Sequence, residues 1–173
     1  TDEPEGYRLI KYSADHENPM GMLVYGHIIQ SGMLCVQQDN KRAFELIKKA
    51  ADMGEPNAIT AIGMFYEKGI YVKQSSYTAI KYYKFALEEG SMIAIEHLGE
   101  VYKKGGDGFS ANPMESRSYY KIGADAGLRE SIYQYCLNMY NDDIVLNYIY
   151  EIRKYLEIGR KLKDEKSILF LGN

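Results

Sequence analysis

The 173-residue chain holds only two cysteines, Cys35 and Cys136, about a hundred positions apart, whereas a disulfide framework would show several spaced pairs. They read as reduced thiols, buried as small hydrophobic groups. The three histidines, His16, His27 and His97, form no His–x3–His pair and have no partnering cysteine, so no metal and no cofactor is expected. The longest apolar runs, such as Ile168 to Leu171, are far too short to cross a bilayer. Positive charge is also scarce. Lys and Arg number 21 against 24 Asp and Glu, a net charge of −3, and phosphate-driven binding of nucleic acid needs a basic face. The densest basic stretch, Arg160-Lys161-Leu162-Lys163, reads as a solvated helix end. No N-terminal signal pattern is visible, and a chain opening on Thr1 reads as an excised piece, with any targeting segment outside it. A cytoplasmic location is the expectation.

Signatures of catalysis are missing too. No Gly-x-Ser-x-Gly elbow is present to raise a nucleophilic serine. The glycine-rich stretch 105–108 is followed by no Gly-Lys-Ser/Thr, so it reads as an enlarged turn rather than a phosphate loop. Acidic pairs such as Glu88-Glu89 and Asp142-Asp143 fall at helix ends, where carboxylates are solvated; Asp142-Asp143 also suits the positive start of a helix. The chain is therefore expected not to be an enzyme. Tryptophan is absent, and tyrosine, at 17, is the compositional excess. So many tyrosines fit either an adhesive surface or the standard packing residue of a repeated unit.

Repetition favours packing. The stretch IGMFYEKG (62–69) returns as LGEVYKKG (98–105). With Gly63 as anchor, the counterparts are Gly26, Gly99, Cys136 and Gly172, at steps of 37, 36, 37 and 36 residues. Five before each anchor stands a small residue: Gly21, Ala58, Ala94, Ser131, Ser167. Just before it stands a large one (Tyr25, Ile62, Leu98, Tyr135, Leu171), and three after it Ile29, Tyr66, Tyr102 or Met139. These offsets share one helical face. Six after the anchor, Gly32, Gly69, Gly105 and Asp142 read as helix stops at positive φ. The small anchors Gly63 and Gly99 would let this A-type helix lie close against a neighbour. A B-type helix follows each stop, in RAFELIKKAA (42–51), TAIKYYKFAL (78–87), ESRSYYKIGA (115–124) and the degenerate EIRKYLEIGR (151–160); EGYRLIKYSA (5–14) begins the chain in the same phase. Pro19, Pro56 and Pro113 suit first-turn positions.

The predicted elements are B-type helices at about 4–14, 40–53, 76–89, 113–126 and 144–161, and A-type helices at 19–31, 56–68, 92–104, 129–140 and 164–172, with no strand. They compose a single domain, 1–173: a half-repeat at 4–14, repeats at about 15–51, 52–87, 88–124 and 125–160, and a half-repeat at 161–173. The expected fold is all-α, a right-handed α-solenoid of antiparallel helix pairs.

The pattern small–x3–Leu–Gly–x2–Tyr–x2–Gly, a short loop ending in Val, then Ala–x2–Tyr/Phe–x3–Ala resembles the Sel-1-like repeat (SLR), of the tetratricopeptide-like class. Residues 58–86 carry it best, with Ala58, Ile62, Gly63, Tyr66, Gly69, Val72, Ala79, Tyr82, Tyr83 and Ala86 on pattern. Departures are Tyr71 at the family's second loop glycine, one extra residue in the first and third connections, and Cys136 and Asp142 at two glycine positions. The resemblance implies a protein-interaction scaffold or adaptor. The alternatives are a regulatory array of a larger enzyme such as a kinase, or a secreted β-lactam-binding relative. That last branch is built on intra-repeat disulfides that this chain lacks.

In a curved stack of this class the A-type helices line the concave side. The positions facing it would be Met20, Leu23, His27 and Gln30; Asn57, Thr60, Met64 and Glu67; Ile93, Glu96, Glu100 and Lys103; and Glu130, Tyr133, Leu137 and Tyr140. Met and Tyr suit adaptable peptide recognition, and Glu96 with Glu100 suits a basic residue of the partner. No nucleic-acid or membrane partner is expected. The apolar 164–172 helix, with Ile168 and Phe170, predicts end-on self-association or continuation by further repeats.

Overall fold

The computed structural model describes residues 4–34, 36–140, 145–162 and 165–166, and the side chains of all these except 145–148. The described residues form nine helices: α1 Glu5–Asp15, α2 Pro19–Ser31, α3 Asn40–Asp52, α4 Pro56–Lys68, α5 Ser76–Glu88, α6 Ile93–Lys104, α7 Pro113–Asp125, α8 Arg129–Tyr140 and α9 Val145–Lys161. Each lies within a residue or so of its predicted range, and the extended backbone at Gly106 and Phe109 is confined to single positions. The 164–172 helix, Cys35 and Asp142 fall outside the described residues, apart from helical backbone at 165–166.

The helices begin and end where local chemistry directs. Pro19, Pro56 and Pro113 occupy first-turn positions, where an amide donor would be unused. Asn18, Asp39, Ser75 and Asn112 cap α2, α3, α5 and α7 by accepting the amides of Gly21, Arg42, Thr78 and Glu115; each cap contributes about 1 kcal/mol. The A-type helices stop at Gly32, Gly69 and Gly105, with φ of 67°, 66° and 74°. Beyond each stop the chain returns to the helix it has just left. The amides of Asp39, Ser75 and Asn112 donate to the carbonyls of Ile29, Tyr66 and Tyr102, one bond in the same phase in three repeats.

Two compact units result, residues 1–94 with 106–108, and residues 95–105 with 109–173. In the first, α1 packs on α2, α2 on α3, α3 on α4 and α4 on α5. Its continuous core includes Tyr7, Tyr25, Ile29, Ile47, Ile62 and Phe65. In the second, α7 packs on α8 and α8 on α9 around Tyr120, Ile132, Tyr135, Cys136, Met139, Tyr155 and Leu156. Burial mainly against sequence neighbours is the energetics of a repeat array.

The anchor glycines are notches. A Cβ on Gly63 would stand 2.5 Å from Cε1 of Tyr83, and one on Gly99 2.7 Å from Cε1 of Tyr120. At Gly26 the facing group is Ile47. Tyrosine is the packing residue here. Tyr66 stacks on Tyr82 with centroids 5.5 Å apart and planes at 11°, and Tyr102 stacks on Tyr119 at 5.6 Å and 9°, the same two slots one repeat on. Tyr71, at the family's loop-glycine position, adopts φ 64°, and Leu34, two residues past the previous stop just as Tyr71 is, adopts φ 57°. The phase of the loop imposes left-handed backbone on side chains that disfavour it, at about 1 kcal/mol or more each.

Candidate partner-binding faces

The outward strip of each A-type helix was the sequence-predicted site. In the first unit it is uneven. On α2, Met20 is 45% exposed and His27 is exposed, its Nδ1 3.4 Å from Oε1 of Gln30, but Leu23 is buried in the core. On α4, Asn57, Met64 and Glu67 are half-buried, and Thr60 is only 2% exposed. The Thr60 hydroxyl donates to Oγ of Ser91 at 2.8 Å, and Ser91 donates to Oδ1 of Asn57 at 2.8 Å. This network ties α4 to the turn before α6. Leu23 and Thr60 thus belong to the packing and leave the set of partner-facing residues. Tyr83 donates its hydroxyl to Oε2 of Glu67 at 2.5 Å, and burial together with that carboxylate pushes the phenol well above its usual range. Ile93 is 52% exposed.

In the second unit, Glu96, Glu100 and Lys103 lie at i, i+4 and i+7 along α6, with Glu130, Tyr133, Leu137 and Tyr140 along α8. Lys103 Nζ donates to Oε1 of Gln134 at 3.1 Å, and Gln134 Nε2 donates to Oε1 of Glu130 at 2.9 Å. Glu130 also pairs with Lys166, whose ammonium stands 5.3 Å from the Tyr133 ring centroid. Glu100 accepts the Tyr120 hydroxyl at 3.0 Å and pairs with Lys104 at 2.9 Å. Burial pushes the Glu100 carboxyl up, but the Lys104 and Tyr120 hydrogen bonds and the charges of Lys104 and Lys103 bring it below its ordinary value. Glu96 goes the other way, raised first by burial and then by the Glu130 charge, against smaller lowering by His97, by the Ser131 hydroxyl and by Lys166. Tyr133 and Leu137 are half-buried, and Tyr140 is 59% exposed.

The arrangement suits a cationic side chain between carboxylates, with aromatic and aliphatic surface alongside. It does not assemble a nucleophile with a base. Cys136 is free and buried, and its thiol is pushed up to about 12 by burial and by Glu151, which keeps it protonated. Among the described residues, no group of three or more His, Cys, Asp or Glu could hold a metal, and no helix is long and apolar enough to cross a membrane.

A polar tie between α7, α8 and α9 was not foreseen. Lys121 donates to Oε1 of Glu151 at 2.9 Å and to the Tyr155 hydroxyl at 3.3 Å; Tyr135 donates to the same Glu151 oxygen at 2.9 Å, and Tyr155 to Asp125. The Tyr135 phenol is pushed up to about 12 by burial and by Glu151. The hydrogen-bonded partners of this tie lie 16 to 34 residues apart, so no local spacing announces it.

The Sel1 repeat profile matches residues 19–55, 56–91 and 93–128. Solved structures share the fold. A Sel1 repeat protein from Oxalobacter formigenes superposes with a TM-score of 0.72 at 22% identity, over 91% of this chain and 64% of that one. The protective antigen c5321 of uropathogenic Escherichia coli, described as displaying an SLR fold, gives 0.75 at 19%, over 96% and 35%. The immunity protein Pa5087 from Pseudomonas aeruginosa gives 0.64 at 20%, over 96% and 62%. The chain thus spans between about one third and two thirds of these proteins' lengths. With three matched repeats over most of its length, the chain belongs to the Sel1 repeat family, whose members generally serve as non-catalytic scaffolds for protein–protein interaction.

Proposed function

We propose that this chain is an adaptor that holds an extended or helical segment of a partner protein on the outward strips of its A-type helices. The strip in the second unit sets the specificity. The carrying observation is geometric: Glu96 and Glu100 stand one turn apart on the same side of α6, with Glu96 half-buried and near enough to Glu130 to feel its charge, so a partner Lys or Arg would meet several carboxylates there. Tyr133, Leu137 and Tyr140 supply apolar contact beside the charge, and Met20, Met64 and Ile93 give the first unit adaptable apolar surface.

The test is affinity purification on the immobilised chain, followed by mass spectrometry, with three baits: wild type, Glu96→Gln with Glu100→Gln, and Tyr133→Ala. The expected result is a partner whose recovery falls with each variant and with rising salt, while the helical circular dichroism of the bait is unchanged. Equal recovery on all three baits would remove the assignment.

A further inference from the structure

The acidic strip of the second unit already holds a cation. Lys166 pairs with Oε2 of Glu130, and its ammonium stands 5.3 Å from the centroid of the Tyr133 ring. Glu96 feels the same charge. Glu96, Glu130 and Tyr133 are among the residues assigned above to a partner's basic side chain. The chain's own lysine therefore sits where that side chain would go. Lys166 stands one before Ser167, just as Met20, Asn57, Ile93 and Glu130 stand one before Gly21, Ala58, Ala94 and Ser131. It follows Glu130 in the same row, 36 positions on, and the row changes from an acid to a base at that step.

The matching place in the first unit is closed by packing. Asn57, in the phase of Glu130, accepts a hydrogen bond from Ser91 at 2.8 Å, and Ser91 is only 2% exposed. That donor is built into the turn before α6. The contact at Glu130 is of another kind, because the Lys166 and Glu130 side chains are 53% and 37% exposed. An ion pair so open to water is weak, and an exposed cation–π contact adds only modestly to it. The carboxylate itself is held from elsewhere. Gln134, which Lys103 in turn bonds, donates to Oε1 of Glu130, while Lys166 uses Oε2. The acceptor thus stays in place when the lysine departs.

We propose that Lys166 is an internal competitor for the partner: it occupies the cation place between Glu130 and Tyr133 in the unbound chain, and a partner lysine or arginine binds by displacing it. This rests on the reading of the strip given above and adds how that site is regulated. A place that must first be vacated binds more weakly, in proportion to the fraction of time it stands open. With contacts as modest as these, that fraction is about a tenth to a third. Deleting the Lys166 charge should therefore tighten binding of a basic ligand by about three- to tenfold.

The probe is a fluorescein-labelled octalysine peptide, titrated with the whole chain at physiological salt and followed by fluorescence anisotropy. Lys166→Gln should bind it about three- to tenfold more tightly than the wild type does. Lys166→Arg, which keeps the cation, should bind no more tightly than the wild type. Lys161→Gln removes the same charge from the exposed end of α9 and should change affinity by less than about twofold, because charges far from the site are screened. In a Glu130→Gln background the gain from Lys166→Gln should vanish. Equal affinity of the wild type and Lys166→Gln, an equal gain from Lys161→Gln, or a gain that survives Glu130→Gln would overturn the proposal. If Glu96→Gln with Glu100→Gln weakens octalysine binding while Lys166→Gln leaves it unchanged, the strip stands and the competitor falls. If octalysine binds the wild type and that double variant alike, or binds neither, both fall together.

Discussion

Gly63→Ala probes the notch with a single added carbon. That carbon would sit 2.5 Å from Cε1 and 2.7 Å from Cδ1 of Tyr83, where a comfortable contact is about 3.5–4.0 Å. One helix must shift by about 1 Å, or the ring must turn. The ring has little freedom, because Tyr83 is 0% exposed and its hydroxyl is held by Glu67. In an open helix interior, alanine would stabilise by about 1 kcal/mol over glycine. Overpacking costs about 1–3 kcal/mol. The expected net effect is a loss of about 0–2 kcal/mol, against a gain of about 0.5–1 kcal/mol for Gly6→Ala, where the added carbon meets nothing. The fourth repeat supplies a rescue, since Cys136 replaces the anchor glycine there and Leu156 holds the slot of Tyr83, both buried in one cluster. Gly63→Ala with Tyr83→Leu should be more stable than the sum of the single changes by about 1 kcal/mol. Urea unfolding followed by circular dichroism, compared at a common slope, reads all five proteins: the wild type, the three single variants and the double. A Gly63→Ala gain like that at Gly6, or a double variant additive to within about 0.3 kcal/mol, would refute the notch.

Leu34→Gly should raise stability by about 0.5–1 kcal/mol in the same assay, because Leu34 holds φ 57° with its side chain 44% exposed. Gly105→Ala should lower it by about 1–2 kcal/mol, since φ is 74° and the new Cβ would stand 2.7 Å from the Ala111 amide nitrogen. The Glu151 carboxyl is lowered from its ordinary 4.5, chiefly by the Lys121 hydrogen bond, so its contribution is complete above that value and is lost as pH falls through the folded-state value. Glu151→Gln should therefore destabilise at neutral pH, with the difference from wild type shrinking in acid. Glu96 carries the opposite sign. Its carboxyl is raised by burial and by Glu130, so wild-type stability falls as pH climbs from 4.5 through the raised value, and Glu96→Gln should gain on wild type over that window.

The order and ends of the helices were legible because each is fixed by a local cause that recurs. Gly32, Gly69 and Gly105 take the left-handed turn that little else tolerates, Pro19, Pro56 and Pro113 begin helices, and Gly63 and Gly99 leave room for a ring. The faces were legible only in part. Thr60 sits on an outward phase, but its burial is decided by Ser91, 31 residues on, through a hydrogen bond that periodicity cannot report. Lys121, Tyr135, Glu151 and Tyr155 likewise meet only once three helices have packed. Tyr71 stood out as a departure from the family's glycine, yet its backbone kept the glycine conformation, with its ring 5.5 Å from that of Phe44. Loop closure in this phase outweighs the preference of one residue.

The knob-and-notch contact joins an A-type helix to the B-type helix that follows it, whereas the meeting of one B-type helix with the next A-type helix rests on small residues, as at Ser13 with Gly21 and Gly123 with Ser131. Gene-level exchange of segments is therefore unequal in its consequences. A crossover in the turn before Pro19 or Pro56 transfers an intact lock together with its key. One placed after Gly32 or Gly69 would set an isoleucine-shaped slot against a tyrosine, or the reverse. Viable rearrangements of this gene should carry their junctions at the first kind of turn.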